Sequence, residues 1–157
     1  MMLIFELLTV FSLGGVAYGG IELLWRGHTH WTMLLLGGLC CVAIYLIASR
    51  SGLGLIRQYI LCTAVITTLE FVTGAVVNRA LGWSVWDYSA MRYNLCGQIC
   101  ARYTLYWLAL SIPACALSRL AYGRLFRGVF LHLHGKLRET ARAEPVRPGD
   151  DKLRRVL

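Results

Sequence analysis

Charge is scarce in this sequence. Of 157 residues only 15% are Asp, Glu, Lys or Arg, against roughly a quarter in soluble domains. Apolar residues make up 57%, and the mean hydropathy is +0.58. That imbalance excludes an ordinary soluble domain and points to a chain that dissolves in lipid. The signatures of several chemistries are also missing. No G-x-x-x-x-G-K-[ST] occurs, so the chain has no phosphate-binding loop with which to hold ATP. No G-x-S-x-G and no H-E-x-x-H occurs, which removes the serine-hydrolase elbow and the zinc-protease helix. The four histidines fall into two pairs, His28 with His30 and His132 with His134. A spacing of i, i+2 does not put both on one helix face. No metal site, no other cofactor and no catalytic residue is therefore expected. The six cysteines are Cys40, Cys41, Cys62, Cys96, Cys100 and Cys115. All lie in apolar runs or at their edges, so they read as small packing residues and not as a disulfide framework. A cleaved leader is not expected either, because the N-terminus lacks a basic stretch and carries Glu6 inside its first apolar run.

What is present is length in apolar runs. A bilayer core needs about 20 apolar residues per helix. Four runs fit, at residues 1–24, 31–48, 59–77 and 95–118. The expected fold is all-α, a polytopic membrane protein of four transmembrane helices. The net charge of +8 is uneven, with ten Lys or Arg from Arg119 onward and six before it. Arg50 and Arg57 flank the connection between spans two and three. With four spans, that connection and the basic tail share one side, which the positive-inside rule makes the cytoplasm. Both termini are then cytoplasmic, in a bacterial cytoplasmic membrane, and a nucleic-acid partner is not expected. Within the tail, Tyr122, Phe126, Val129, Phe130, Leu133 and Leu137 recur at helical spacing. Residues 119–141 thus read as a basic amphipathic helix for an anionic lipid surface, and 142–157 as a flexible end.

Several polar residues break the apolar runs. A carboxylate within the bilayer costs several kcal/mol, and at ~1.5 Å per residue Glu70 lies roughly 16 Å from Tyr59, near mid-membrane. Span three carries Thr63, Thr67, Glu70, Gly74 and Asn78 in one stripe. Span one ends in Gly15, Tyr18, Gly19 and Glu22. Span four begins with Asn94, Gln98 and Arg102, whose spacing of four makes a third stripe. Such stripes face inward in lipid. Two arrangements would satisfy them: an ion pair between Glu70 and Arg102, or an Arg102 that snorkels outward while Glu70 stays protonated. The ion pair is the arrangement expected. Glu22, Glu70, Asn78, Asn94, Gln98 and Arg102 are the candidate substrate- or ion-binding set. Above them, Trp83, Trp86, Asp87 and Tyr88 form an aromatic loop at the outer interface, a candidate entrance.

The stretches Glu70-Phe71-Val72-Thr73-Gly74 through Asn78, Leu81-Gly82-Trp83-Ser84-Val85-Trp86-Asp87-Tyr88-Ser89, and Asn94-Leu95-Cys96-Gly97-Gln98-Ile99-Cys100 are similar to the bacterial ABC-transporter permease type IV, or CmpB-like, family. The resemblance spans roughly Gly15 to Leu120, and Glu70-x-x-x-Gly74 and Trp86-Asp87-Tyr88-Ser89 are its most specific parts. It implies a multi-pass membrane protein connected with transport. Four spans are few for a complete permease, so a homo-oligomer or a separate ATPase subunit would be needed. Three functional readings follow: a transport-related permease subunit with an intramembrane polar site, a scaffold whose polar stripes hold helices together, and an intramembrane enzyme acting on lipid through Glu70 or Glu22.

Overall fold

Four long helices grow from the four apolar runs. A computed structural model describes residues 2–126 and Gly128. Helix α1 is Met2–Arg26, α2 is Trp31–Arg50, α3 is Leu55–Gly74, and α4 is Ala101–Leu120. A π-helical segment, Ala75–Ala80, extends α3, and another, Ala121–Phe126, follows α4. Each of the four helices is long and apolar enough to cross a membrane. All four lie in the compact unit Met1–Ala121. The second unit, Tyr122–Leu157, is described only at its start. The expected amphipathic helix at 119–141 falls, beyond Phe126 and Gly128, outside the described residues, as does the end at 142–157.

Two tight turns make α1, α2 and α3 antiparallel neighbours. Helix α1 ends at Gly27, whose φ of +73° closes the last turn as a left-handed residue that only glycine adopts without strain. Its N–H bonds the Leu23 carbonyl at 2.9 Å. Helix α2 starts at once, with His30 as its cap: Nδ1 accepts from the Thr32 N–H at 3.4 Å. The α1–α2 seam is built from glycines. A Cβ on Gly15 would lie 2.6 Å from the Leu34 carbonyl oxygen, and one on Gly37 2.5 Å from the Tyr18 Cβ. Small residues here let two backbones touch, which is how helices associate where lipid removes the usual hydrophobic drive.

Helix α4 packs on α2 and α3, while α1 packs chiefly on α2. One core cluster joins Ile44, Ala48, Cys62, Ile66 and Cys115. A second joins Met33, Leu36 and Trp86, with Tyr18, Leu69 and Tyr88 against it. The bundle is therefore closed along α2, α3 and α4 and looser between α1 and α4. Those two helices meet through rings: Tyr18 with Trp107 at 6.0 Å and Trp25 with Tyr106 at 6.4 Å between centroids.

The start of the fourth helix differs from the sequence reading. Residues 94–100 form a small antiparallel hairpin, Asn94–Leu95 pairing with Ile99–Cys100, and the helix begins only at Ala101. Local chemistry explains the delay. Asn94 Oδ1 accepts from the Gly97 N–H at 3.0 Å, a turn that competes with helix. Gly97 has φ +69°, and a Cβ there would meet Ser89 Oγ at 2.5 Å and Asp87 Oδ1 at 2.7 Å. Asn94, Gln98 and Arg102 consequently do not form one helical stripe.

Candidate functional site

Glu70 sits on α3 about ten residues from the end of the Ala75–Ala80 extension. It is buried, with 3% of its surface exposed. Its carboxylate accepts from the Tyr88 hydroxyl at 3.1 Å and from the Trp107 indole N–H at 2.8 Å. The expected ion pair with Arg102 is not formed. Arg102 lies in the first turn of α4, exposed, with Nε bonded to the Tyr106 hydroxyl at 3.1 Å and its guanidinium 5.9 Å from that ring. The physical reason is the later helix start: it places Arg102 near the membrane boundary, where a long cation reaches out more cheaply than in. Among the described residues the ion pairs are Arg26 with Glu22 and Arg50 with Glu6, so Glu70 has neutral donors only.

Asn78, Gln98 and Trp86 form a separate network that fixes the outer loop. Asn78 Nδ2 donates to Gln98 Oε1 at 2.9 Å, while its Oδ1 accepts from the Val85 N–H at 2.7 Å. The Trp86 indole donates to the Gln98 carbonyl at 3.0 Å. Trp86 is buried; Trp83 is exposed and packs edge-on against His30 and tilted against Trp31 across the α1–α2 turn. Asn94 is exposed and bonds the carbonyls of Ser89 and Met91. Asp87 caps the turn by accepting from Ser89, and that bond holds its carboxyl below the ordinary aspartate value. Burial, and next the Glu70 charge, push the Tyr88 hydroxyl far above its ordinary range, so it stays a donor.

Glu22 belongs to a third group. Arg26 bonds it at 2.7 Å and also donates to the Val85 carbonyl at 2.7 Å; Thr29 bonds it at 2.5 Å. One further acid escaped the sequence reading as a site member. Glu6 is buried and accepts from the Tyr45 hydroxyl at 2.8 Å and from Arg50 at 3.0 Å. Its residue type had served only to argue against a leader. The missing signal was depth: Glu6 and Arg50 lie toward the same end of two antiparallel helices. Trp107, which holds Glu70, gave no signal beyond an apolar run.

A cavity of about 610 Å³ lies in the looser seam between α1 and α4. Tyr18, Glu22 and Arg26 line it from α1, Trp86 and Tyr88 from the loop, and Tyr103, Tyr106 and Trp107 from α4. Tyr88 and Trp107 are thus both cavity wall and hydrogen-bond donors to Glu70, which sits one side chain behind the wall. Ala109 also faces the cavity, and Pro113, inside α4, has no N–H to give the Ala109 carbonyl. A second pocket of about 590 Å³ lies on the far side of Trp86 and Asp87, among Asn78, Arg79, Asn94 and Gln98. The sequence-derived set is therefore divided. Glu22, Trp86, Asp87 and Tyr88 reach the first cavity, and Asn78, Asn94 and Gln98 the second, with Glu70 behind the wall and Arg102 outside both.

A family model described as Putative ABC-transporter type IV matches residues 15–133. No curated protein and no solved structure matches the chain.

Proposed function

Because the chain belongs to the Putative ABC-transporter type IV family and is a membrane transport-related protein, we propose that it is a multi-pass permease subunit whose ligand site is the α1–α4 cavity. The observation that carries this reading is the position of that cavity. It lies at a loose seam of the bundle and is walled by the two side chains that hold Glu70. Ligand sites between helices of bundles are commonly of this size. In this reading Glu22 and Arg26 guard the outer mouth, and Glu70 is the charged group behind it. Asn78, Gln98 and Trp86 act as scaffold, because their bonds run among themselves and to the loop backbone.

The proposed orientation puts both termini in the cytoplasm and the loop of residues 81–100 outside, in a bacterial cytoplasmic membrane. The basic tail then faces anionic lipid. A bundle of four spans with the site near one edge needs completion by a second copy or by another subunit carrying the ATPase. Affinity purification from native membranes in mild detergent, with the mass of the intact complex measured, tests this. The expected result is a complex containing at least two copies of the chain or a copurified ATPase. A lone monomer under those conditions would contradict the subunit reading.

A further inference from the structure

We propose that the α1–α4 cavity takes a monovalent organic cation with an apolar or aromatic body, held by ring faces in front of Glu70. The proposal rests on the reading of this cavity as the ligand site and adds the chemical class of what enters. Charge is the first argument. At the mouth, Glu22 is already paired with Arg26 at 2.7 Å, so that end is balanced. Glu70 is not. Its oxygens accept from a hydroxyl and an indole N–H, both neutral, and it takes part in neither ion pair among the described residues. In its ionised form Glu70 lacks a charged partner that a bound cation would supply, and Asp87 also lines the cavity.

The walls are the second argument. Seven of the fourteen lining residues are Trp or Tyr. Ring faces carry negative potential and attract cations best when water is excluded, and they suit a weakly hydrated organic cation most. Tyr88 and Trp107 donate their polar hydrogens to a carboxylate, which enriches the electron density of those same rings. A small inorganic cation would instead require a shell of oxygen ligands, and the cavity offers few. An organic anion would find Arg26 as the one cation among the lining residues, already paired with Glu22. Access is the third argument. Ile21, Trp25 and Leu110, which line the cavity from α1 and α4, are exposed apolar residues. A ligand that partitions into the bilayer can therefore arrive sideways.

Binding of tetraphenylphosphonium to the purified full-length chain in detergent, measured by equilibrium dialysis, tests the proposal. The anion tetraphenylborate and the neutral triphenylphosphine oxide are run beside it. Saturable binding of the phosphonium is expected, at least tenfold tighter than that of either comparator. In Glu70→Gln the phosphonium should lose at least tenfold in affinity while the neutral compound is unchanged. Equal or tighter binding of the borate or the oxide to the unaltered chain would overturn the proposal, as would no saturable phosphonium binding. The comparison of probes on the unaltered chain decides the matter even if Glu70→Gln does not fold. It reads charge preference on one chain, so its failure is distinct from a failure to find the assembled complex.

Discussion

Glu70→Ala is expected to lower the stability of the bundle by about 2 kcal/mol, from the hydrogen-bond terms that follow. The alanine leaves the Tyr88 hydroxyl and the Trp107 N–H without their acceptor. Each unpaired donor in a buried site costs about 1–3 kcal/mol, and the truncated side chain leaves a void of its own. Against this stands relief, because the variant no longer holds a carboxyl away from water. Interhelical bonds in membranes average well under their expected worth, about 0.6 kcal/mol, which keeps the net figure near the low end. Glu70→Gln keeps an acceptor oxygen for at least one donor and should cost about half as much. Reversible unfolding in mixed micelles, followed by tryptophan fluorescence, gives both numbers. If Glu70→Ala proved more stable than the unaltered chain, desolvation of the acid would outweigh its bonds. Glu70 would then be strained into place and not a tie between α3, the loop and α4.

Gly37→Leu is expected to do still more damage, about 3 kcal/mol, the upper end of the cost of overpacking a tight interface. Gly37 is buried on α2 under Tyr18 of α1. A Cβ there would lie 2.7 Å from the Tyr18 Cγ, well inside contact distance. Next to it, a Cβ on Gly38 would lie 2.8 Å from the Phe11 carbonyl oxygen, so α1 cannot simply slide along the seam. The helix must move away. Tyr18 leads that movement, and Tyr18 is both a wall of the cavity and the ring that meets Trp107. Gly20 provides the control, because nothing lies within 4 Å of a Cβ built there. Gly20→Ala should be neutral or stabilising by up to about 1 kcal/mol through helix propensity. The same mixed-micelle titration checks both. A loss for Gly20→Ala equal to that for Gly37→Leu would mean that α1 and α2 do not meet through their glycines.

The sequence carried the four helices because a run of about 20 apolar residues has few other uses. The stripe of Gly15, Tyr18, Gly19 and Glu22 on span one was expected to face inward, and the structure puts Gly15 against the Leu34 backbone and Gly19 against its side chain. Periodicity failed where backbone chemistry overrode it. Asn94-Leu95-Cys96-Gly97 was apolar enough to look like the head of a helix. Yet Asn and Gly at that spacing are turn formers, and the turn moved the helix start to Ala101. With that shift Arg102 sits in the first turn of α4, bonded to Tyr106, and makes no pair with Glu70. The true partners of Glu70 were hidden for another reason. Tyr88 and Trp107 are amphipathic, with one polar hydrogen on a large apolar body, so Tyr88 read as part of an interfacial loop and Trp107 as part of an apolar run. The cavity was not legible, since it depends on which pair of helices stays apart.

The central claim is that the seam between α1 and α4 is an accessible site and not merely lipid-facing surface. Cysteine labelling measures this most directly, in the full-length chain with its native cysteines replaced. Ala109 lines the cavity, while Leu105, one turn nearer the start of α4, is 64% exposed and does not line it. Depth alone would make Leu105→Cys the more reactive of the two toward a membrane-impermeant thiol reagent. The cavity reverses that order. Ala109→Cys in reconstituted vesicles should label at least tenfold faster than Leu105→Cys. An Ala109→Cys that labels no faster than Leu105→Cys would show the seam closed to water and contradict the account.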